Sequence, residues 1–337
     1  MGSKADNLRR YAPLIEDWEA FASACRRPLP LVVWANPLRR NALAKLNAAD
    51  GIPSPAGANR PDGATGPHGT TEAELLAARL SARGYECAPL GWYPGAMKIH
   101  GLLKPGRTLE YLLGLYHVQE EASLIPSLLL APRPGERILD LCAAPGGKTA
   151  QMSVATGCRG TIVSNDVRFD RLRALRSNCE RLGLLNVAMT AQDGTAFPLD
   201  AGPFDAILLD VPCSCEGNVR QGTGVRYREP GEFLAGRSGL QATLLGRAWK
   251  MLAPGGRLVY ATCTFAPEEN EMVLDYSLRD DARIEPVAID GLAASPGVTE
   301  WRGRSLRDDC ANVARYWPHL NDTGGFTVAL VRKEPGA

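Results

Sequence analysis

The stretch Arg137-Ile138-Leu139-Asp140-Leu141-Cys142-Ala143-Ala144-Pro145-Gly146-Gly147-Lys148-Thr149 reads as a short apolar strand, a glycine loop and the start of a helix. The same alternation recurs toward the C-terminus. A helix over 147–155, a strand over 161–165 and a helix over 168–182 lead to strands over 186–190 and 204–210. A helix over 239–252, a strand over 257–262 and a last strand over 326–333 complete the series. Strands alternating with helices predict an α/β fold, a Rossmann-like parallel sheet with helices on both faces.

Ligands of such sheets bind at the carboxyl ends of the strands, so the loop after the first strand is the place to look. Glycines there let a ligand approach the backbone, and the following helix offers unpaired N–H groups. The dinucleotide pattern G-x-G-x-x-G is absent. Gly147-Lys148-Thr149 matches the tail of a phosphate-binding loop, but Cys142 stands where its first glycine belongs. That leaves the phosphate loop a near miss, and a third, competing reading is a nucleoside cofactor over the loop, its ribose on Asp166, twenty residues beyond Gly146 at the end of the second strand. Asp193 follows the third strand and Asp210 ends the fourth. Any one of these could cap a helix. An acid at each of several consecutive strand ends favours the cofactor site.

Two cysteines stand at the same edge, Cys213 in Asp210-Val211-Pro212-Cys213-Ser214-Cys215 and Cys263 in Ala261-Thr262-Cys263-Thr264. Singly, each would pass for a small core residue. Two at adjacent strand ends beside a cofactor point to reactive thiols. Cys213 and Cys215, with one residue between them and no histidine cluster nearby, do not make a zinc motif, so no metal is expected.

With LDLCAAPGGKT (139–149), NDVRFDRLRAL (165–175), QDG (192–194), DVPCS (210–214) and YATCTFAPEENE (260–271), the chain resembles the RNA (cytosine-5-)-methyltransferases of the Fmu/Sun type. The likeness extends over about residues 110–335, taking in YHVQEEAS (116–123), similar to that family's entry helix, and RYWPH (315–319) with GGF (324–326) near the end. The resemblance implies an S-adenosylmethionine-dependent transfer of methyl to carbon 5 of a cytosine in rRNA or tRNA, with rRNA preferred. It implies that Cys263 adds to carbon 6 of the base and that Cys213 assists release of the product. Asp210 would hold the base edge or lie near the cofactor methyl, with Lys148 in the same pocket. Cys142, Ala143, Ala144, Pro145, Gly146, Gly147, Lys148, Asp166, Arg171, Asp193 and Asp210 would hold the cofactor. Cys215 departs from the family, which usually has glycine there. The alternative is an RNA-binding ribosome-assembly factor of the same fold with little catalysis; loss of either catalytic cysteine would have favoured it.

The rest of the chain bears on RNA. Lys+Arg 38 against Asp+Glu 37 leaves a net charge of +1, so RNA binding needs a local basic patch. Residues 1–50 carry an excess of Lys and Arg, with Arg9-Arg10, Arg26-Arg27 and Arg39-Arg40 around an apolar strand at 31–35. These could face a phosphate backbone or form a solvated surface. Residues 51–70 hold nine Gly or Pro in twenty and read as a flexible loop. A helix over 72–83 and short strands within 85–110 come next. The division expected is an N-terminal RNA-binding domain, 1–110, and a methyltransferase domain, 111–337. The loop 216–238, with Arg220, Arg226, Arg228 and Arg237, is a second candidate for phosphate contacts. No apolar run approaches the roughly 18 residues of a membrane span, and no signal-peptide pattern opens the sequence. Nine scattered cysteines suit a reduced, cytoplasmic protein; a monomer is expected.

Overall fold

The computed structural model describes residues 6–53, 71–221 and 230–336. Most of the 51–70 loop, together with Arg226 and Arg228, lies outside the described residues.

A small antiparallel sheet is built from β1 (Leu31–Ala35), β2 (Glu86–Pro89), β3 (Ala96–His100) and β4 (Tyr116–Val118), in the order β2-β3-β1-β4. Side chains alternate across β1, and both faces are used. Val33 and Ala35 pack with Leu43 of helix α2 (Arg40–Ala49) and with Leu76 and Leu80 of helix α3 (Glu72–Ser81). Val32 and Trp34 point the other way, onto Ala150, Leu172 and Leu175 of the larger unit. The helix α3 starts where sequence reading places it because Thr71 and Glu74 form a reciprocal capping box.

The larger sheet contains β5 (Arg137–Asp140), β6 (Thr161–Asn165), β7 (Val187–Thr190), β8 (Phe204–Asp210) and β9 (Leu252–Thr262), all parallel to their neighbours among themselves. It continues through β10 (Ala282–Glu285), β11 (Ser295–Pro296), β14 (Ala314–Tyr316) and β15 (Phe326–Lys333), while β12 (Glu300–Trp301) and β13 (Arg304–Ser305) pair as a separate ribbon. The order is β11-β14-β15-β9-β8-β5-β6-β7, with β10 on β15. Each strand of the middle is apolar on both faces: Ile207 and Leu209 of β8 enter one core, Ala206 and Leu208 the other. Helix α7 (Phe169–Leu182) shows the complementary pattern. Its buried Leu172, Leu175, Cys179 and Leu182 recur at helical spacing, Arg173 and Arg176 face outward, and Gly183 ends it with φ of 76°.

Two expectations need correcting. The sheet is mixed: β15 runs antiparallel to β9 and β14 antiparallel to β15. An apolar run carries no direction, which is set by the path of the intervening chain. The stretch 116–123, similar to an entry helix, begins as β4, because Tyr116-His117-Val118 pairs with Ala35-Trp34-Val33 of β1. Only its end turns, through a 3-10 turn at Glu121–Leu124 into helix α5 (Ile125–Leu130).

The first residues, counted with the N-terminal domain on sequence grounds, pack on the larger unit. Leu8, Tyr11 and Phe21, the last on helix α1 (Trp18–Arg26), pack with Phe265 and Trp317 beyond the end of β9 and β14. Phe265 and Trp317 stack at 5.1 Å, and Phe21 meets both edge-on.

Candidate active site

The site lies where β5, β8 and β9 end. After Asp140 the chain turns through Leu141–Gly146 into helix α6 (Gly147–Ala155). Gly146 has φ of 98°, and a Cβ there would lie 2.9 Å from Leu175 Cγ, so this position requires glycine. Asp166, buried at the end of β6, grips the loop. Its Oδ2 accepts from Ala144 N at 3.3 Å and from Arg171 Nη1 at 3.1 Å, and Arg171 also donates to the Ala144 carbonyl. Asp166 Oδ1 accepts from Arg168 N, leaving it capacity for one more donor. Asp193 stands exposed at the end of β7, its Oδ1 accepting both Thr195 donors.

A cavity of about 380 Å³ opens over the loop. Asp140, Cys142, Ala143, Ala144, Pro145, Gly147, Lys148 and Asp210 line one side. Asp166, Arg171 and Asp193 are not among its walls. Lys148 Nζ donates to Asp210 Oδ2 at 2.7 Å. Burial alone would lower the Lys148 pKa, but the charge and hydrogen bond of Asp210 outweigh it and hold it raised. The other wall comes from β4 and its surroundings, including Tyr111, His117, Gln119 and Glu120. His117 is pushed down to about 3 by burial and by Arg181, whose Nη2 lies 2.9 Å from His117 Nδ1. It is a neutral wall, not a cation.

Asp140 was not singled out by the sequence, being read as the end of a strand. Its side chain is buried; Oδ2 accepts from Thr149 Oγ1 at 2.6 Å, while Oδ1 has no partner. Burial, with the charges of Asp210 and Asp166 adding to it, raises its pKa to about 7 against the pull of Thr149 and Lys148. An unpartnered buried carboxyl oxygen beside a cavity that also holds Asp210 suits a ligand carrying positive charge.

Beyond β8 and β9 the two expected cysteines meet. Cys213 Sγ lies 3.4 Å from Cys263 Sγ, and Cys215 joins them at 4.0 Å from Cys213. Asn218 Nδ2 donates to Cys263 Sγ at 3.5 Å. The loop is held by groups the sequence did not single out. Buried Glu269 accepts from Ser214 N at 3.0 Å and from Gln241 Nε2 at 2.8 Å, and Ser214 Oγ lies 2.6 Å from Thr264 Oγ1. Glu216 accepts from Tyr11 O–H at 2.6 Å, which ties the loop to the N-terminal segment. The sequence signal for Ser214 was the family-like segment 210–214, and for Thr264 and Glu269 the segment 260–271; Tyr11 and Gln241 lay in no such segment.

The thiols divide their proton affinity unevenly. Cys215 is lowered, because its sulfur accepts from Cys213 and Cys263. For Cys263 the bond with Cys213 lowers the pKa, but donation to Cys215, burial and the charges of Cys215 and Asp210 leave it raised well above the ordinary thiol value.

Arg220 does not reach outward to phosphates. It is buried, donating to the carbonyls of Arg27 (3.0 Å), Pro28 (2.9 Å) and Thr323 (3.0 Å) and to Asp322 Oδ1 (2.7 Å). The carbonyls that end α1 and turn before β15 need donors there, and the guanidinium supplies them.

The model of the 16S rRNA methyltransferase RsmB/F family matches residues 127–332. The chain belongs to this family. Among its relatives, the tRNA (cytosine(49)-C(5))-methyltransferase of Pyrococcus abyssi is 39% identical over 74% of this chain and 81% of its own. The human 28S rRNA (cytosine(4447)-C(5))-methyltransferase is 36% identical over 77% of this chain, which spans only 32% of that protein's length. A crystal structure described as a methyltransferase homolog protein from Pyrococcus horikoshii superposes with a TM-score of 0.74 at 30% identity, over 99% of each chain. As a family member the chain is an S-adenosylmethionine-dependent RNA cytosine-C5 methyltransferase with a Rossmann-like fold. Among the described residues no helix is long and apolar enough to cross a membrane.

Proposed function

We propose that the chain methylates carbon 5 of a cytosine in rRNA through a covalent bond between Cys263 Sγ and carbon 6 of the base. The observation that supports this reading is the pair of thiols, Cys213 and Cys263, 3.4 Å apart at adjacent strand ends beside Lys148 and Asp210. S-adenosylmethionine supplies an electrophilic methyl group on a sulfonium. Cys142–Lys148 would cradle it together with Asp140, Asp166 would take its ribose while Arg171 holds the loop against Asp166, and Asp193 would close the cradle. Cys263 passes its thiol proton to the N3 edge of the base as its sulfur adds to carbon 6, and the displaced π electrons turn carbon 5, a poor nucleophile in cytosine, into an enamine-like donor. Asp210, kept in place by Lys148, holds the base edge. After transfer, loss of the carbon 5 proton and of Cys263 restores the ring, and Cys213 assists that step.

The target cytosine leaves its stack to reach these groups, as carbon 5 is inaccessible within a helix. The N-terminal unit, counted as residues 1–110 on sequence grounds, contributes RNA contacts through its basic residues. The protein works as a monomer in the cytoplasm, in keeping with its nine free cysteines.

A transfer RNA substrate is the second reading, favoured by the relative that acts on tRNA and matches 81% of its length. Incubation with tritiated S-adenosylmethionine and transcribed 16S rRNA or tRNA, followed by nucleoside analysis, tests both. Label in 5-methylcytidine of rRNA is expected, absent with Cys263→Ala and trapped as a protein–RNA adduct with Cys213→Ala. Label on tRNA alone would move the assignment to tRNA. Undiminished labelling by Cys263→Ala would refute the adduct.

A further inference from the structure

Three sulfurs meet at the strand ends, one more than the reaction uses. Cys213 Sγ is 3.4 Å from Cys263 Sγ and 4.0 Å from Cys215 Sγ, and all three lie within 4.8 Å of one another. A tetrahedral zinc thiolate with Zn–S bonds of about 2.3 Å needs sulfurs about 3.8 Å apart. The cluster therefore already has the spacing of one face of such a site. Cys215 is exposed, which gives a cation a way in, and Asn218 Nδ2 donates to Cys263 Sγ from outside the cluster. Thiolates select soft d10 cations over magnesium or calcium. With glycine at position 215 only two sulfurs would remain, too few for a stable site.

We propose that Cys213, Cys215 and Cys263 bind one zinc-class cation when RNA is absent, and that the bound cation blocks the reaction by occupying the nucleophile. The binding stands on geometry alone; the block rests on the role given above to Cys263. On coordination each sulfur still protonated releases its proton to solvent, three metal–sulfur bonds form, and water fills the fourth position. No electrons change hands.

Cadmium, which absorbs in the ultraviolet when bound to thiolates, is the probe. The reduced, chelator-treated full chain is titrated with cadmium without oxygen. The charge-transfer band should saturate at one cadmium per chain, and zinc should displace it. Cys215→Ser and Cys263→Ala should each weaken binding at least about tenfold, since even outer partners of a metal site are worth that much. Cys87→Ser, on β2 and away from the site, should leave it unchanged. A band that never saturates, or one that Cys215→Ser leaves as strong, overturns the proposal. So does loss of two free thiols without metal, which would mean a disulfide instead. In the methylation assay, zinc should inhibit the wild type, and Cys215→Ser should need at least about tenfold more zinc relative to its own metal-free rate. The expected band with no labelled RNA would sustain the metal site and refute the catalytic reading.

Discussion

At Cys215 the backbone has φ of 60°. That left-handed conformation costs an ordinary side chain about 1–2 kcal/mol and glycine almost nothing. The glycine usual at this position in the family thus has a conformational reason, which one sequence cannot reveal. Cys215→Gly should therefore hold or raise stability, while Cys215→Val should lower it by about 1–2 kcal/mol, read by urea melting. Equal melts for both variants would contradict the argument. Asp140 offers a pH test. Its pKa rises from 3.8 in the unfolded chain to about 7 when folded, so between those values the folded state binds the extra proton and stability falls as pH rises. Asp140→Asn removes that titration. Relative to wild type it should gain stability across this window, by up to about 4 kcal/mol, in melts run at several pH values. A difference that stays flat with pH would show that Asp140 is not buried as described.

The elements themselves were legible where pattern and chemistry agree. The strands 161–165, 204–210 and 326–333 and the helix 147–155 have the bounds that periodicity and turn residues predict. The glycine loop and the placing of Cys213 and Cys263 at one edge of the sheet were likewise readable, because strand ends are where such folds place their chemistry. Three things were not. The antiparallel direction of β15 depends on sixty-odd residues of intervening path, and no local pattern encodes it. Nor could the sequence show that Cys215 comes within 4.8 Å of both Cys213 and Cys263, because the loop after β8 sets its direction. Arg220 read as a surface charge in a glycine-rich loop, whereas it pins that loop to α1 and to the turn before β15. Arg220→Met would leave those buried carbonyls without donors and should cost on the order of 3 kcal/mol. A loss below about 1 kcal/mol in a urea melt would show the carbonyls to be satisfied otherwise.

The small sheet and the larger unit share a core. Val32 and Trp34 pack among residues of α6 and α7, Trp34 Nε1 donates to Gln119 Oε1 at 3.0 Å, and Asn36 Nδ2 donates to the Leu182 carbonyl at 2.9 Å. With that much buried between them, the two should melt together. Near-ultraviolet circular dichroism and calorimetry should report one coincident transition, and two resolved transitions would refute the coupling. The N-terminal segment adds a constraint in time. Arg10 pairs with Glu268, 258 residues later, and Tyr11 holds Glu216 beside the thiols. At roughly 5–20 residues per second on the ribosome, the segment waits on the order of ten seconds or more for its partners to be made. Until then its apolar residues, Leu8, Tyr11 and Phe21, have no home. The loop after β8 is thus braced from more than two hundred residues upstream, and that brace is complete only after Phe265 and Trp317 have been made.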